Sequence, residues 1–202
     1  MTILLLGPPR DHLISRLESL GDNVITTEER LNSDSGILDN VDFLVSYGYR
    51  YILKKDLLSR FPNKVINLHI AYLPWNRGAD PNLWSVLEDT PKGVTIHYID
   101  EGIDTGTIIV RRPVAMRPDD TLKTMYVRLS REIEGIFLDM WPAIRSGQCE
   151  GESQEHGGSY LRKRDRAKYA HLLIQGWNTP VDQIMGKAVE PLEETMTCPE
   201  KA

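Results

Sequence analysis

The sequence predicts an α/β protein built on an open, largely parallel twisted sheet with helices on both faces. Three observations lead there. The run TILLL near the start is short, apolar and unbroken, as expected of a strand covered on both faces. Runs of this kind alternate along the chain with stretches whose apolar residues recur at helical spacing, the pattern of a layered α/β fold. The chain's 202 residues, 41% of them hydrophobic, suffice for one full hydrophobic core.

Taken in order, residues 2–6 form the first strand, stopped by Gly7-Pro8-Pro9. Leu13, Leu17 and Leu20 then recur at helical spacing and end at Gly21. Residues 23–27 make a second strand, residues 28–40 a polar loop, and residues 41–46 (VDFLVS) a third strand. A short helix over residues 54–60 leads to a fourth strand over residues 65–68. Residues 82–88 (NLWSVLE) give one or two helical turns that start at an Asn82 cap. Strands over residues 93–99 and 107–114 flank the turn DEGIDTG. Leu122, Met125, Leu129, Ile133, Ile136, Met140 and Ile144 form one apolar stripe, the clearest helix of the chain, closed by Gly147. Residues 1–150 are expected to fold as the main domain, with residues 151–190 as an extension packed on or near it. Residues 191–202 contain few apolar side chains and are expected to form a loose tail.

Composition excludes several classes. A net charge of −5 argues against a broad phosphate-gripping surface, so nucleic acid is not an expected partner. Cys149 and Cys198 match no CxxC pattern and read as reduced thiols in a reducing compartment. No apolar stretch approaches the roughly 18 to 20 residues that span a bilayer, and MTILLLGPPRD lacks a basic leader; a cytoplasmic protein is expected. His12, His156 and His171 have no metal spacing with any neighbour, so no metal is expected. LLLGPPRDHL carries neither GxGxxG nor GxxxxGK[ST], and Pro8 and Pro9 remove two backbone donors, so it reads as a plain turn. The missing GxGxxG also argues against a dinucleotide-dependent oxidoreductase.

The chemistry concentrates where the fourth strand ends. In open α/β sheets, ligands sit outside the carboxyl ends of the strands. There the apolar KVINL runs into Asn67 and His69, followed by a connector rich in Pro, Gly and Trp. Residues two apart in an extended chain point the same way, so the two side chains share a face. An amide can donate to an oxygen that becomes negative, and a neutral imidazole can accept a proton. A carboxylate is needed to orient that imidazole and stabilise its cation. Asp100, Glu101 and Asp104 in DEGIDTG are the candidates.

These residues carry a resemblance. The segment INLHIAYLPWNRGADPNLWSVLEDTPKGVTIHYIDEGIDTGTII resembles the formyltransferases that use 10-formyltetrahydrofolate. Asn67 and His69 match the family's Asn-x-His, Leu73-Pro74 and Gly78 its connector, and Asp100 to Gly106 its D-E-x-x-D-x-G loop. The match is continuous over about residues 45–114 and extends over about residues 1–141. The resemblance implies a Rossmann-like catalytic domain with Asn67, His69 and Asp104 as its catalytic trio. It implies that an amine attacks the formyl carbon while Asn67, with His69, steadies the oxyanion; whether His69 or Asp104 takes the proton stays open from the residues alone. It also implies that 10-formyltetrahydrofolate is held by backbone groups at Tyr51, Ile52 and Leu53 and at Ile99, Asp100, Glu101, Gly102 and Ile103, with no metal.

Within that family, LPWNRGADPNLWS is most similar to the nucleotide-sugar N-formyltransferases, which implies a nucleotide-linked aminodeoxysugar as the amine. Trp75, Arg77 and Asn82 are then the candidate substrate contacts, Arg77 for a pyrophosphate and Trp75 for stacking. The competing reading of Arg77 is an exposed side chain paired with Asp80. Arg162, Lys163 and Arg164 could face the same pyrophosphate or simply form a solvated basic run. Methionyl-tRNA formyltransferase shares the motif but carries a further C-terminal domain, which is not expected here. Glycinamide ribonucleotide formyltransferase holds its phosphate with a Gly-Ser-rich loop, from which LLLGPPRDH departs. Formylation of a carrier-bound amino acid is another alternative, and an inactive folate- or nucleotide-binding module is the non-enzyme one; the intact trio argues against that last reading. His97, in mid-strand, reads as a surface or half-buried histidine. Trp84 reads as core, and Trp141, closing the long helix, as part of a possible homodimer surface.

Overall fold

The computed structural model of the protein describes residues 1–188; the tail expected over residues 191–202 lies outside them. Its strands are β1 (Thr2–Leu6), β2 (Asn23–Thr27), β3 (Phe43–Ser46), β4 (Val65–His69), β5 (Arg77–Gly78), β6 (Gly93–Tyr98), β7 (Ile108–Pro113) and β8 (Tyr160–Leu161). The α-helices are α1 (Asp11–Ser19), α2 (Lys55–Arg60), α3 (Pro81–Leu87) and α4 (Leu122–Arg145). The main sheet runs in the order β2-β1-β3-β4-β6-β7. The β2, β1, β3 and β4 pairings are parallel, whereas β6 runs antiparallel to both β4 and β7.

Both faces of the sheet are buried at its central strands, and successive residues of one strand serve opposite faces. Ile3 and Leu5 pack with Leu13 and Leu17 of α1 and with Leu129, Ile133 and Phe137 of α4. Leu4 and Leu6, one residue out of phase, pack with Leu57 of α2 and Phe61 on the other side. This two-sided burial is why the first strand is apolar without alternation.

Four local readings change. The third strand begins at Phe43 instead of residue 41, because Asp42 turns its carboxylate to the backbone N–H of Thr2 at 2.7 Å. Asn82 does not cap its helix: Pro81 opens α3, and the Asn82 side chain is buried with its Nδ2 donating to the carbonyl of Leu122 at 2.9 Å. The connector after β4 is not all loop, since Arg77 and Gly78 pair in parallel with Tyr160 and Leu161. Residues 151–188 also return to the sheet through a bridge between Ile108 and Glu152, and to α4 through one between Thr121 and Pro180.

Trp141 is the fourth. It is fully buried, its ring edge-on to Phe43 at 5.1 Å between centroids, and its Nε1–H donates to the buried Asp22 carboxylate at 2.6 Å. An indole with a buried anionic partner belongs to the core and offers no surface to a second copy. Trp141→Phe keeps a ring in place and removes that charge-assisted bond. It should destabilise the fold by about 2 kcal/mol in urea denaturation. A loss below about 0.5 kcal/mol would show that Arg145 and the amino terminus, which also hold Asp22 at 3.0 and 3.1 Å, make the indole redundant.

Candidate active site

The end of β4, the connector behind it and the loop before β7 meet at one point. β4 and β6 are antiparallel, so Asn67 lies opposite His97 and His69 opposite Thr95. Thr95 anchors the start of the connector: its hydroxyl donates to Ala71 O at 2.7 Å and accepts from Leu73 N–H at 3.1 Å. The connector then folds back over the sheet edge on Asn76, which is fully buried. Asn76 donates to Glu88 Oε2 at 3.1 Å and accepts from the Thr90 hydroxyl at 2.8 Å. Burial pushes the Glu88 carboxyl up.

Asp104 sits at the focus. Its backbone is left-handed, with φ at +54°, a conformation an aspartate tolerates better than most residues. Its Oδ1 accepts from Asn67 Nδ2 at 3.1 Å and lies 3.5 Å from His97 Nε2. Its Oδ2 accepts from the backbone N–H of Gly78 at 2.8 Å and lies 3.7 Å from His69 Nδ1. Burial alone would raise this carboxyl. The charge that His69 and His97 carry when protonated, together with the Gly78 N–H, outweighs it and holds Asp104 well below the usual carboxylate range. Gly78 is required there: its φ is +93°, and a Cβ would lie 2.2 Å from the carbonyl oxygen of Leu161.

The proton on His69 can be assigned from its neighbours. Nε2 lies 3.1 Å from the carbonyl oxygen of Asn76, which can only accept, so Nε2 carries the hydrogen and Nδ1 keeps its lone pair toward Asp104. Burial depresses the His69 pKa, opposed by the Asp104 charge. The ring is therefore a neutral acceptor at neutral pH, beside an anion placed to steady its cation. His97 is fixed in the same way, its Nδ1–H donating to Tyr98 O at 2.8 Å.

These groups line a cavity of about 1220 Å³. Tyr51, Ile52 and Leu53 line one side of it, together with Ile99, Asp100, Gly102 and Ile103. Glu101 does not; its carboxylate points out to Lys55 Nζ at 2.7 Å. Asp100 turns inward on its own loop, accepting from Gly102 N–H at 3.1 Å and the Thr105 hydroxyl at 2.7 Å. Asn82 lines the cavity, and its Oδ1 is buried without a hydrogen-bond partner among the described residues. Trp75 is not among the lining residues and is 37% exposed. Arg77 is turned away as well. Its guanidinium donates to Gln154 Oε1 at 3.1 and 2.7 Å, while Asp80 pairs with Arg166 at 3.2 Å, so neither expectation for Arg77 describes its contacts.

Two residues at this site were not anticipated. His97, expected at or near the surface, is 1% exposed and faces Asp104. Gln154 braces the acidic loop from below, its Nε2 donating to the carbonyls of Asp104 at 2.7 Å and Gly106 at 2.8 Å. No helix of the described residues is long and apolar enough to cross a membrane, and no group of three or more His, Cys, Asp or Glu among them is placed to hold a metal ion.

Asn67, His69 and Asp104, the trio that the resemblance to formyltransferases implies, thus meet at the end of the fourth strand of an α/β sheet. Residues 26–139 match the family model described as formyl transferase, and the chain belongs to that family. It is 35% identical over 116 residues to the methionyl-tRNA formyltransferase of Desulfotalea psychrophila (strain LSv54 / DSM 12343), an overlap of 57% of this chain and 36% of that protein. The chain thus spans about a third of the length of the curated relatives it matches. Among solved structures, it is similar to the formyltransferase PseJ from Anoxybacillus kamchatkensis in complex with UDP-4,6-dideoxy-4-formamido-L-AltNAc and tetrahydrofolate. That likeness is 56% identity and a TM-score of 0.91, covering 93% of this chain and 100% of the other. A 4-N formyltransferase from Francisella tularensis, 19% identical with a TM-score of 0.72 over 83% of this chain and 78% of that one, shares the fold.

Proposed function

We propose that the protein transfers the formyl group of 10-formyltetrahydrofolate to the amino group of a nucleotide-linked aminodeoxysugar. The observation that carries this reading is the likeness to PseJ, which spans the whole of that enzyme and was crystallised with a formamido-sugar nucleotide and tetrahydrofolate. The trio Asn67, His69 and Asp104 supplies matching chemistry.

In this reading the formyl donor lies along the side of the cavity formed by Tyr51–Leu53 and Ile99–Ile103, and supplies the electrophilic carbon. The amine nitrogen forms the new C–N bond, and its surplus proton passes to His69 Nδ1. Asp104 is a poor base because its pKa is held low; its part is to stabilise the imidazolium and orient the Asn67 amide. Asn67 Nδ2 donates to the formyl oxygen as that oxygen gains negative charge. When the carbonyl re-forms, the bond to the folate N10 breaks and that nitrogen takes up a proton.

Incubation with 10-formyltetrahydrofolate and UDP-4-amino-4,6-dideoxy sugars should give a mass gain of one formyl group on the sugar, with tetrahydrofolate released. Formylation of methionyl-tRNA, with none of any sugar nucleotide, would overturn the assignment.

The Gln154 brace gives a prediction of its own. Gln154→Ala leaves the Asp104 and Gly106 carbonyls without donors and should lower kcat by roughly 10-fold, because displacements of about an ångström at catalytic groups have large effects. Gln154→Glu should not restore it, since a carboxylate would face two carbonyl oxygens. Steady-state kinetics of both variants decide this, and full activity in Gln154→Glu would remove the bracing role.

A further inference from the structure

Beyond the catalytic trio the cavity has a second arm of different character. Its walls are Lys123 and Tyr126 near the amino end of α4, Tyr160 of β8, Arg162 and Lys163 just after it, and Trp177 in the single turn Gly176–Asn178. Apart from Lys123 and Tyr126, these lie beyond the residues 26–139 that the family model matches.

Two contacts join this arm to the reacting centre. Gly78, whose N–H holds Asp104, pairs with Leu161, and Ala79 N–H donates to Leu161 O at 2.9 Å, so Arg162 follows directly from a residue paired with the catalytic loop. Asn82 bonds to Leu122 O, which sets Lys123 one residue beyond that contact.

The side chains of the arm are of two kinds. None of Lys123, Arg162 and Lys163 is in an ion pair among the described residues, whereas the neighbouring Arg166 is neutralised by Asp80 at 3.2 Å. Three uncompensated cations lining one cavity, in a chain of net charge −5, make a locally positive region that suits an anion. Beside them Tyr126, Tyr160 and Trp177 are 40%, 43% and 44% exposed, unusual for three aromatic rings lining one cavity. Cations satisfy phosphate oxygens, and an exposed indole offers a face to a flat heterocycle. A nucleoside diphosphate has both parts, joined in that order.

We infer that this arm binds the nucleoside diphosphate of the substrate, with the diphosphate on Lys123, Arg162 and Lys163 and the base stacked on Trp177. The assignment deepens the sugar-nucleotide reading above and rests on it. It replaces Arg77 and Trp75, which the fold turns away from the cavity, with residues of the C-terminal segment. The amino sugar, attached to the diphosphate, then extends past Asn82 toward His69.

The test uses the intact protein and two readouts. The first is UDP affinity by isothermal titration calorimetry. The second is the KM for the aminosugar nucleotide against the KM for 10-formyltetrahydrofolate. Trp177→Ala should weaken UDP binding and raise the sugar-nucleotide KM by roughly 5- to 100-fold, the effect of losing one base–aromatic stack. Trp177→Phe should recover most of it. Lys123→Ala combined with Arg162→Ala should weaken UDP binding at least 10-fold and flatten its salt dependence. Arg164→Ala removes a charge from the same basic run at a position that does not line the cavity, and should leave UDP affinity unchanged. An unaltered KM for the formyl donor shows that the variants are folded. UDP binding that is unaffected by either the Trp177 or the Lys123/Arg162 changes overturns the inference. If the wild type formylates no sugar nucleotide, the functional reading fails instead, and UDP titration of the wild type and variants still decides whether the arm is a nucleotide site.

Discussion

Asn67→Ala should lower kcat by roughly 100- to 1000-fold, about 3 to 4 kcal/mol of transition-state stabilisation, the usual effect of deleting one oxyanion donor. One N–H of the amide is committed to Asp104 Oδ1 at 3.1 Å. The other lies 3.4 Å from His97 Nε2, a weak contact that loses little when the hydrogen turns to a developing oxyanion. The donor is thus aimed in advance and still available. Because the interaction strengthens only as charge appears, the Michaelis constants of both substrates should change far less than kcat. Asn67→Asp should be at least as damaging, since it sets a second carboxylate against Asp104 and replaces a donor with an acceptor. Retained kcat with weakened substrate binding in Asn67→Ala would make Asn67 a positioning residue.

The sequence exposed this centre unevenly. Asn67 and His69 were legible because i, i+2 spacing at a strand end is local geometry, readable from the chain alone. Choosing among Asp100, Glu101 and Asp104 requires knowing which one meets the Gly78 N–H, and that depends on the left-handed backbone at Asp104 and on a connector folding back over it. His97 was misplaced for a related reason. Nothing in VTIHYID states that its strand runs antiparallel beside β4 in the register that sets His97 opposite Asn67. Arg77, Gln154 and the pairing of β5 with β8 involve segments far apart in sequence, and two-residue strands have no periodicity to detect. Trp141 was misread because its partner, Asp22, lies at the other end of the chain. The main elements needed no such information. Apolar runs and a helical stripe reflect burial against the chain's own sheet, and each appears in the structure within a few residues of its expected place. The resemblance to formyltransferases rested on the same local text, which is why the family was visible where the individual contacts were not.

Asp104→Asn should lower turnover about 100-fold or more and move the pH profile in a definite direction. In the proposed mechanism His69 must be neutral to accept the proton, and burial depresses its pKa, so kcat/KM should fall only as pH drops below the ordinary histidine value of 6.5. The Asp104 charge opposes that depression. With asparagine in its place, the imidazolium loses its counter-charge, the His69 pKa falls further, and the acid limb of the profile should shift to still lower pH. The rate falls nonetheless, because the cation formed during proton transfer is no longer stabilised. The new amide can still accept from Gly78 N–H, but its other end then sets an NH2 against the Asn67 NH2, turning the oxyanion donor out of line. Comparing both enzymes on one sugar nucleotide cancels the titration of the substrate amine. Stability carries a second signature. A carboxyl whose pKa is depressed in the folded state stabilises the fold above its unfolded value of 3.8, and that contribution is lost as pH falls through the folded pKa. Wild type should therefore lose part of its stability as pH falls below about 4, and Asp104→Asn should lack that portion of the loss. An acid limb at the same pH in both enzymes, with turnover near that of the wild type, would remove Asp104 from the mechanism and leave His69 to work without a counter-ion.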